Sequence, residues 1–161
     1  MQRKKINKKK ILVAISGGMD PFHVGHVRLI QAARKLGDEL IIILNNDNWL
    51  KDKKGSVFML QEERKEILEA IKGVDRVLLT DHKPGEYFLD RSVCRALRKI
   101  QPDIFANGGD RKPDGDPVPE VALCEELGIK MIYNVGEGGK VQSSSWLLEK
   151  SAKLANTKRK S

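Results

Sequence analysis

Cysteine, histidine and aromatic side chains are all scarce in this chain of 161 residues, and each shortage excludes something. The two cysteines, Cys94 and Cys124, stand in neither a CxxC nor a paired spacing. A disulfide scaffold is therefore not expected, and a reduced, cytoplasmic setting is. Histidine occurs only at His23, His26 and His82. Zinc takes three or four ligands, and no cysteine lies near the first pair, so no metal-ligand set is expected. Aromatic residues make up 5% of the chain, too few for a surface that stacks bases, and no DNA or RNA recognition motif is present. No apolar run approaches the length of a membrane span, and the basic N-terminus has no apolar stretch of the kind that marks a secretory signal.

Acidic residues are missing from both ends. Of 30 Lys and Arg, six lie in residues 1–10 and four in residues 151–161, where there is no Asp or Glu. Residues 11–150 hold the remaining 20 bases against 22 acids, so the formal charge of +8 belongs to the ends. This suggests a basic N-terminal tail (1–10), one domain (11–150) and a basic C-terminal tail (151–161). It does not suggest a nucleic-acid partner.

Apolar runs alternate with amphipathic stretches. Strands are expected at 11–15, 39–44, 75–79, 103–106 and 129–133, and helices at 25–36, 60–71, 90–100, 118–127 and 144–154. Strands without polar alternation, separated by helices, predict a parallel five-stranded sheet covered on both faces, a doubly wound, Rossmann-like α/β fold. In the 60–71 helix, Leu60, Arg64, Ile67, Leu68 and Ile71 form the stripe expected to face the sheet. Glycine pairs, Gly17-Gly18, Gly108-Gly109 and Gly138-Gly139, follow three of the strands. In a parallel sheet these fall on the carboxyl edge, where open α/β sheets bind ligands, here near strands one and four. The GxGxxG spacing is absent, so a nicotinamide oxidoreductase is not expected.

The most informative segment is Ser16-Gly17-Gly18-Met19-Asp20-Pro21-Phe22-His23-Val24-Gly25-His26. It runs from a buried strand into a helix N-terminus, where free backbone N–H groups and the helix dipole favour anions. Two imidazoles at that end make it a place to hold phosphate, and Gly25 would let a ligand approach the backbone. An imidazole beside a polyanion should also gain proton affinity.

His23-Val24-Gly25-His26 resembles the HxGH signature of the nucleotidylyltransferase superfamily, which includes cytidylyltransferases for glycerol, choline and ethanolamine phosphates and a heptose-phosphate adenylyltransferase domain. The resemblance runs from about Ile11 to about Glu149. It implies an enzyme that joins a nucleoside triphosphate to a phosphorylated acceptor, with the two histidines stabilising charge and Gly17, Gly18, Met19, Phe22 and Gly25 lining the nucleotide. Lys51-Asp52-Lys53-Lys54-Gly55, read as a charged loop after the second strand, resembles the lysine-bearing loop of these enzymes; Lys54 and Lys53 are its leading phosphate ligands, with Lys51 in reserve. The resemblance also assigns a phosphate grip to Arg64 and a ribose or base contact to Asp110, whose alternative is a turn cap.

Ser143-Ser144-Ser145 resembles the family's serine- and threonine-rich segment that binds the outer phosphates, although one serine is expected to be an N-cap. An arginine that glycerol-phosphate enzymes carry five residues earlier is Gly138 here, with Lys140 a substitute. Asp20 and Lys140 are the residues expected on the acceptor side. The implied reaction is transfer of a nucleoside monophosphate, CMP favoured, to a polyol or sugar phosphate, with release of pyrophosphate. The alternatives are ATP-dependent adenylyl transfer to a sugar phosphate and a non-catalytic nucleotide-binding module. The partners are CTP or ATP and a phosphorylated small molecule, with Mg²⁺ carried by the triphosphate and a homodimer implied by the resemblance alone.

Overall fold

The strand order in the sheet is β3-β2-β1-β4-β5, with every neighbouring pair parallel. The strands are β1 (Leu12–Gly17), β2 (Glu39–Leu44), β3 (Arg76–Leu79), β4 (Ile104–Gly108) and β5 (Lys130–Val135). The helices are α1 (Val24–Arg34), α2 (Asp47–Lys54), α3 (Gln61–Glu69), α4 (Cys94–Ile100), α5 (Glu120–Leu127) and α6 (Ser144–Lys158). A 3-10 turn lies at Glu86–Phe88. The computed structural model describes residues 8–109, 119–136 and 142–159. This is the doubly wound α/β fold expected from the alternation of buried strands and amphipathic helices.

The sheet works because its central strands are apolar on both sides. Val13, Ile15, Leu40, Ile42 and Leu44 pack with Ile30 and Ala33 of α1 and Leu68 of α3. Ala14, Ile43 and Phe105 face the other way, onto Val93, Ala96, Leu97, Leu123 and Cys124 around α4 and α5. Successive side chains of a strand point to opposite faces, so one unbroken apolar run feeds two cores. Burying each such side chain stabilises the fold by about 1.5–3 kcal/mol. At the amino edge, three aspartates hold the strands in line. Asp38, Asp103 and Asp75 accept from the backbone N–H of Ile11, Leu12 and Leu40 at 2.8, 2.9 and 2.7 Å.

The direction of winding reverses between β1 and β4. Their ladder pairs only Val13 with Ile104 and Ala14 with Phe105, and stops three residues before either strand ends. The strands thus part toward the carboxyl edge, which is where such sheets take ligands. Gly17 ends β1 and Gly108 ends β4, so two of the three glycine pairs border this crevice. Gly138-Gly139 lies outside the described residues.

Two expectations need correction. Lys51–Gly55 is not a loop: it closes α2, whose N-cap Asn46 accepts from the backbone N–H of Trp49 at 3.0 Å and whose C-cap Gly55 is left-handed at φ 82°. In α3, Leu60 is the N-cap residue and is 56% exposed, whereas Arg64 is wholly buried. Residues 151–158 continue α6 and are exposed throughout. Among the described residues, no helix is long and apolar enough to cross a membrane.

Candidate active site

The carboxyl edge of β1 delivers the chain into α1 through His23, whose extended backbone (φ −151°, ψ 174°) makes it the N-cap. Histidine rarely caps a helix, and here it does so reciprocally with His26. His23 Nδ1 accepts from the backbone N–H of Gly25 at 3.1 Å, while His26 Nδ1 accepts from that of His23 at 3.2 Å. The rings stack with centroids 3.8 Å apart and planes 26° from parallel, and Phe22 stacks on the outer side of His26 at 5.5 Å. With Nδ1 occupied as an acceptor, each ring presents its N–H at Nε2.

Gly25 makes room for the histidine ring. A Cβ there would lie 2.8 Å from His23 Cε1 and 3.0 Å from its Nδ1, so only glycine lets the ring fold over the helix start. The protein's own surroundings work against protonation of His26. Burial, then the neighbouring charges of His23 and Lys54, lowers the His26 pKa from 6.5 to about 3. His26 is a neutral N–H donor at physiological pH.

A second helix N-terminus meets the first. Ser143 is the N-cap of α6, its hydroxyl accepting from the backbone N–H of Trp146 at 3.3 Å. Ser144 Oγ donates to the Pro21 carbonyl at 2.9 Å, tying α6 to the segment that leads into His23. The Gln142 carbonyl lies 3.6 Å from where a Gly25 Cβ would stand. Two of the three expected phosphate-binding hydroxyls are therefore committed to structure, and Ser145 is the exposed one. The N-termini of α1 and α6 meet there, and their dipoles make one electropositive corner.

Lys54 borders the same corner. Its ammonium donates to the Asp20 carbonyl at 3.1 Å and is close enough to His26 to depress the imidazole's pKa. Lys53 points elsewhere, with Nζ 4.6 Å from the centroid of the Trp49 ring. Lys51 is exposed on the same turn.

Arg64 does not offer a phosphate grip. Its guanidinium is buried and donates from Nε to Met59 O at 2.9 Å, from Nη1 to Gly18 O at 2.6 Å and Asn45 O at 2.8 Å, and from Nη2 to Asp47 Oδ1 at 2.6 Å. Four of its five donors are spent on the loops after β1 and β2, so Arg64 shapes the crevice from beneath. Asp20 is likewise committed: its buried carboxylate accepts from the backbone N–H groups of Phe58 at 2.8 Å and Met59 at 2.7 Å. Met19 puts its side chain into the core and takes a left-handed backbone at φ 50°, leaving its main chain alone near the crevice. Gly18 is required by packing, since a Cβ would stand 2.8 Å from Leu50 Cδ2 of α2. Asp110 and Lys140 lie outside the described residues.

Sequence reasoning missed Asp47 and the Val57–Leu60 segment. Asp47 was legible as the first residue after a capping asparagine; Val57-Phe58-Met59-Leu60 was visible as an apolar run without helical or strand period. Among the described residues no group of three His, Cys, Asp or Glu could hold a metal ion. Both oxygens of Asp20, the carboxylate nearest the histidines in sequence, are already engaged. These residues do not fit a protein-built Mg²⁺ cage.

A doubly wound sheet with two helix N-termini, paired imidazoles and a lysine at its switch point is the architecture of an enzyme that transfers nucleotidyl groups. A family model described as cytidylyltransferase-like matches residues 14–132. The chain belongs to this family, and it is a nucleotidylyltransferase. It is 37% identical over 124 residues to the FAD synthase of Pyrococcus horikoshii, covering 76% of this chain and 73% of that protein. It is 34% identical over 146 residues to the Bifunctional protein HldE of Streptomyces coelicolor, covering 89% of this chain but 29% of that longer protein. Among solved structures, the lipopolysaccharide core biosynthesis protein of Thermoplasma volcanium shares the fold, with a TM-score of 0.64 at 23% identity over 81% of this chain and all of that one.

Proposed function

We propose that the protein is an ATP-dependent adenylyltransferase whose acceptor is flavin mononucleotide, so that it makes FAD and pyrophosphate. The observation that carries the acceptor is the 37% identity to an FAD synthase across three quarters of both chains. FAD is flavin mononucleotide joined to AMP through a pyrophosphate, so its synthesis is adenylyl transfer. This reading replaces CMP transfer to a polyol, which finds no support among these relatives.

In the reaction, a phosphate oxygen of the acceptor attacks the α-phosphorus of ATP. The bond from that phosphorus to the bridging oxygen breaks, and pyrophosphate leaves with the electron pair. Negative charge grows on the α-phosphate oxygens and on the leaving group, so preorganised donors accelerate the step without a covalent intermediate. His23 and His26 supply Nε2–H donors held rigid by their mutual caps. Lys54 supplies a fixed positive charge, and the N-terminus of α6 with Ser145 faces the outer phosphates. Mg²⁺ enters with the triphosphate, held by its oxygens and water.

The test is incubation with FMN and either ATP or CTP, following flavin products by chromatography and pyrophosphate by a coupled assay. FAD from ATP is the expected result. Preferred use of CTP would overturn the nucleotide assignment. Pyrophosphate release with a heptose phosphate and none with FMN would favour the sugar-phosphate alternative that the HldE match supports.

A further inference from the structure

We infer that Phe58 is the platform on which the planar ring of the acceptor stacks, which makes it a specificity residue for a flavin over a polyol phosphate; the inference rests on the flavin reading above. Val57-Phe58-Met59-Leu60 is four consecutive apolar residues in irregular backbone, and Phe58 and Leu60 are 62% and 56% exposed. Large exposed apolar groups that cluster mark a contact surface more often than they mark chance.

This segment is not loose. Asp20, itself buried, receives the N–H groups of Phe58 and Met59 at 2.8 and 2.7 Å. The Met59 carbonyl receives Arg64 Nε at 2.9 Å, and the Leu60 N–H donates to Glu63 Oε2 at 2.9 Å. The backbone is thus fastened at three successive residues while two large side chains face solvent. A rigid backbone that presents an exposed aromatic ring is preorganised for stacking and loses little entropy on binding.

Its position supplies the rest. Asp20 holds the Phe58 backbone N–H through its carboxylate and the Lys54 ammonium through its carbonyl, so both residues are anchored on one. Pro21 beside it is held to α6 by Ser144, and His23 follows two residues later. An acceptor suited to this corner carries a phosphate at one end, for Lys54 and the histidines, and a planar apolar ring at the other, for Phe58. Flavin mononucleotide has that division, its ribityl chain separating isoalloxazine from phosphate. A polyol phosphate would leave Phe58 in water and gain nothing from it.

The experiment compares wild type with Phe58→Ala and Phe58→Trp, measuring KM for FMN and for ATP and the quenching of flavin fluorescence on binding, with thermal melts to confirm folding. Stacking predicts quenching by wild type, weaker quenching by Phe58→Ala, and a KM for FMN raised by about fivefold to tenfold, the size of an aromatic stacking contact. KM for ATP should stay within about twofold, and Phe58→Trp should restore both readouts, since a stacking contact is specific to the acceptor. If wild type makes FAD and Phe58→Ala keeps its KM for FMN, the platform is wrong while the flavin reading stands. If wild type makes no FAD, the flavin reading fails and the platform with it.

Discussion

His23 and His26 cap one another: the backbone N–H of the first donates to Nδ1 of the second at 3.2 Å, and their rings lie 3.8 Å apart. The HxGH spacing is what allows this. Residues three apart on a first helical turn face each other, and the intervening glycine removes the Cβ that would block the fold-over. The result is two imidazoles side by side, each with Nδ1 turned to the backbone and Nε2 left to face a ligand.

Acid stability follows from this pairing. The folded-state pKa of His26 lies near 3, below its ordinary 6.5, so the unfolded chain binds a proton that the folded one refuses. Stability from this group is complete above pH 6.5 and is lost as pH falls toward 3. Between pH 7 and pH 5 the loss should reach about 2 kcal/mol at most. Urea unfolding at both pH values, with wild type and His26→Asn, checks this; equal pH slopes in the two proteins would show that His26 is not buried neutral.

Gly25→Ala should disable the site with little effect on the fold. The new Cβ must displace the His23 ring, which stands 2.8 Å away at Cε1, and with it the cap to the Gly25 N–H. Misplacing one charge-stabilising donor costs on the order of a hundredfold in kcat. A variant with wild-type kcat would mean that the ring's placement over Gly25 is irrelevant to turnover.

Arg64→Ala should act on stability. Removing the guanidinium strands Asp47 and three carbonyls in a buried setting, and breaking such an arrangement costs roughly 3–5 kcal/mol. Denaturant unfolding measures it, and a loss below about 1 kcal/mol, the scale of an exposed ion pair, would contradict the buried role of Arg64.

The two lysines of α2 should separate. Lys54→Ala should lower kcat/KM for ATP by about tenfold to a hundredfold, the value of one charge-assisted contact. Lys53→Ala should lower it less, because its ammonium lies over Trp49. Steady-state kinetics of both variants decide, and equal losses would argue that the Trp49 contact gives way on binding.

Most of the architecture was legible because the central strands, such as Leu40-Ile41-Ile42-Ile43-Leu44, are apolar without alternation and can lie only in a sheet covered on both faces. Helix α2 was hidden because its residues are mostly polar, and its signals sit at its ends, in Asn46 and Gly55. The partners of Arg64 and Asp20 were hidden for a different reason. Their partners come from elements far apart in sequence, Gly18, Asn45 and Met59 for one and Phe58 and Met59 for the other, and spacing along a chain does not reveal such convergence. The neutrality of His26 is also a product of burial, which a motif does not display.

The central claim is adenylyl transfer to a flavin phosphate by a paired-histidine site. Its most direct test uses ATP labelled at either the α- or the γ-phosphate, incubated with FMN and wild-type, His23→Ala or His26→Ala protein. The α-label should appear in FAD and the γ-label in pyrophosphate, with each alanine variant slower by on the order of a hundredfold while still folded. Label from the γ-phosphate in the flavin product, absence of any flavin dinucleotide, or undiminished turnover in both histidine variants would contradict the account.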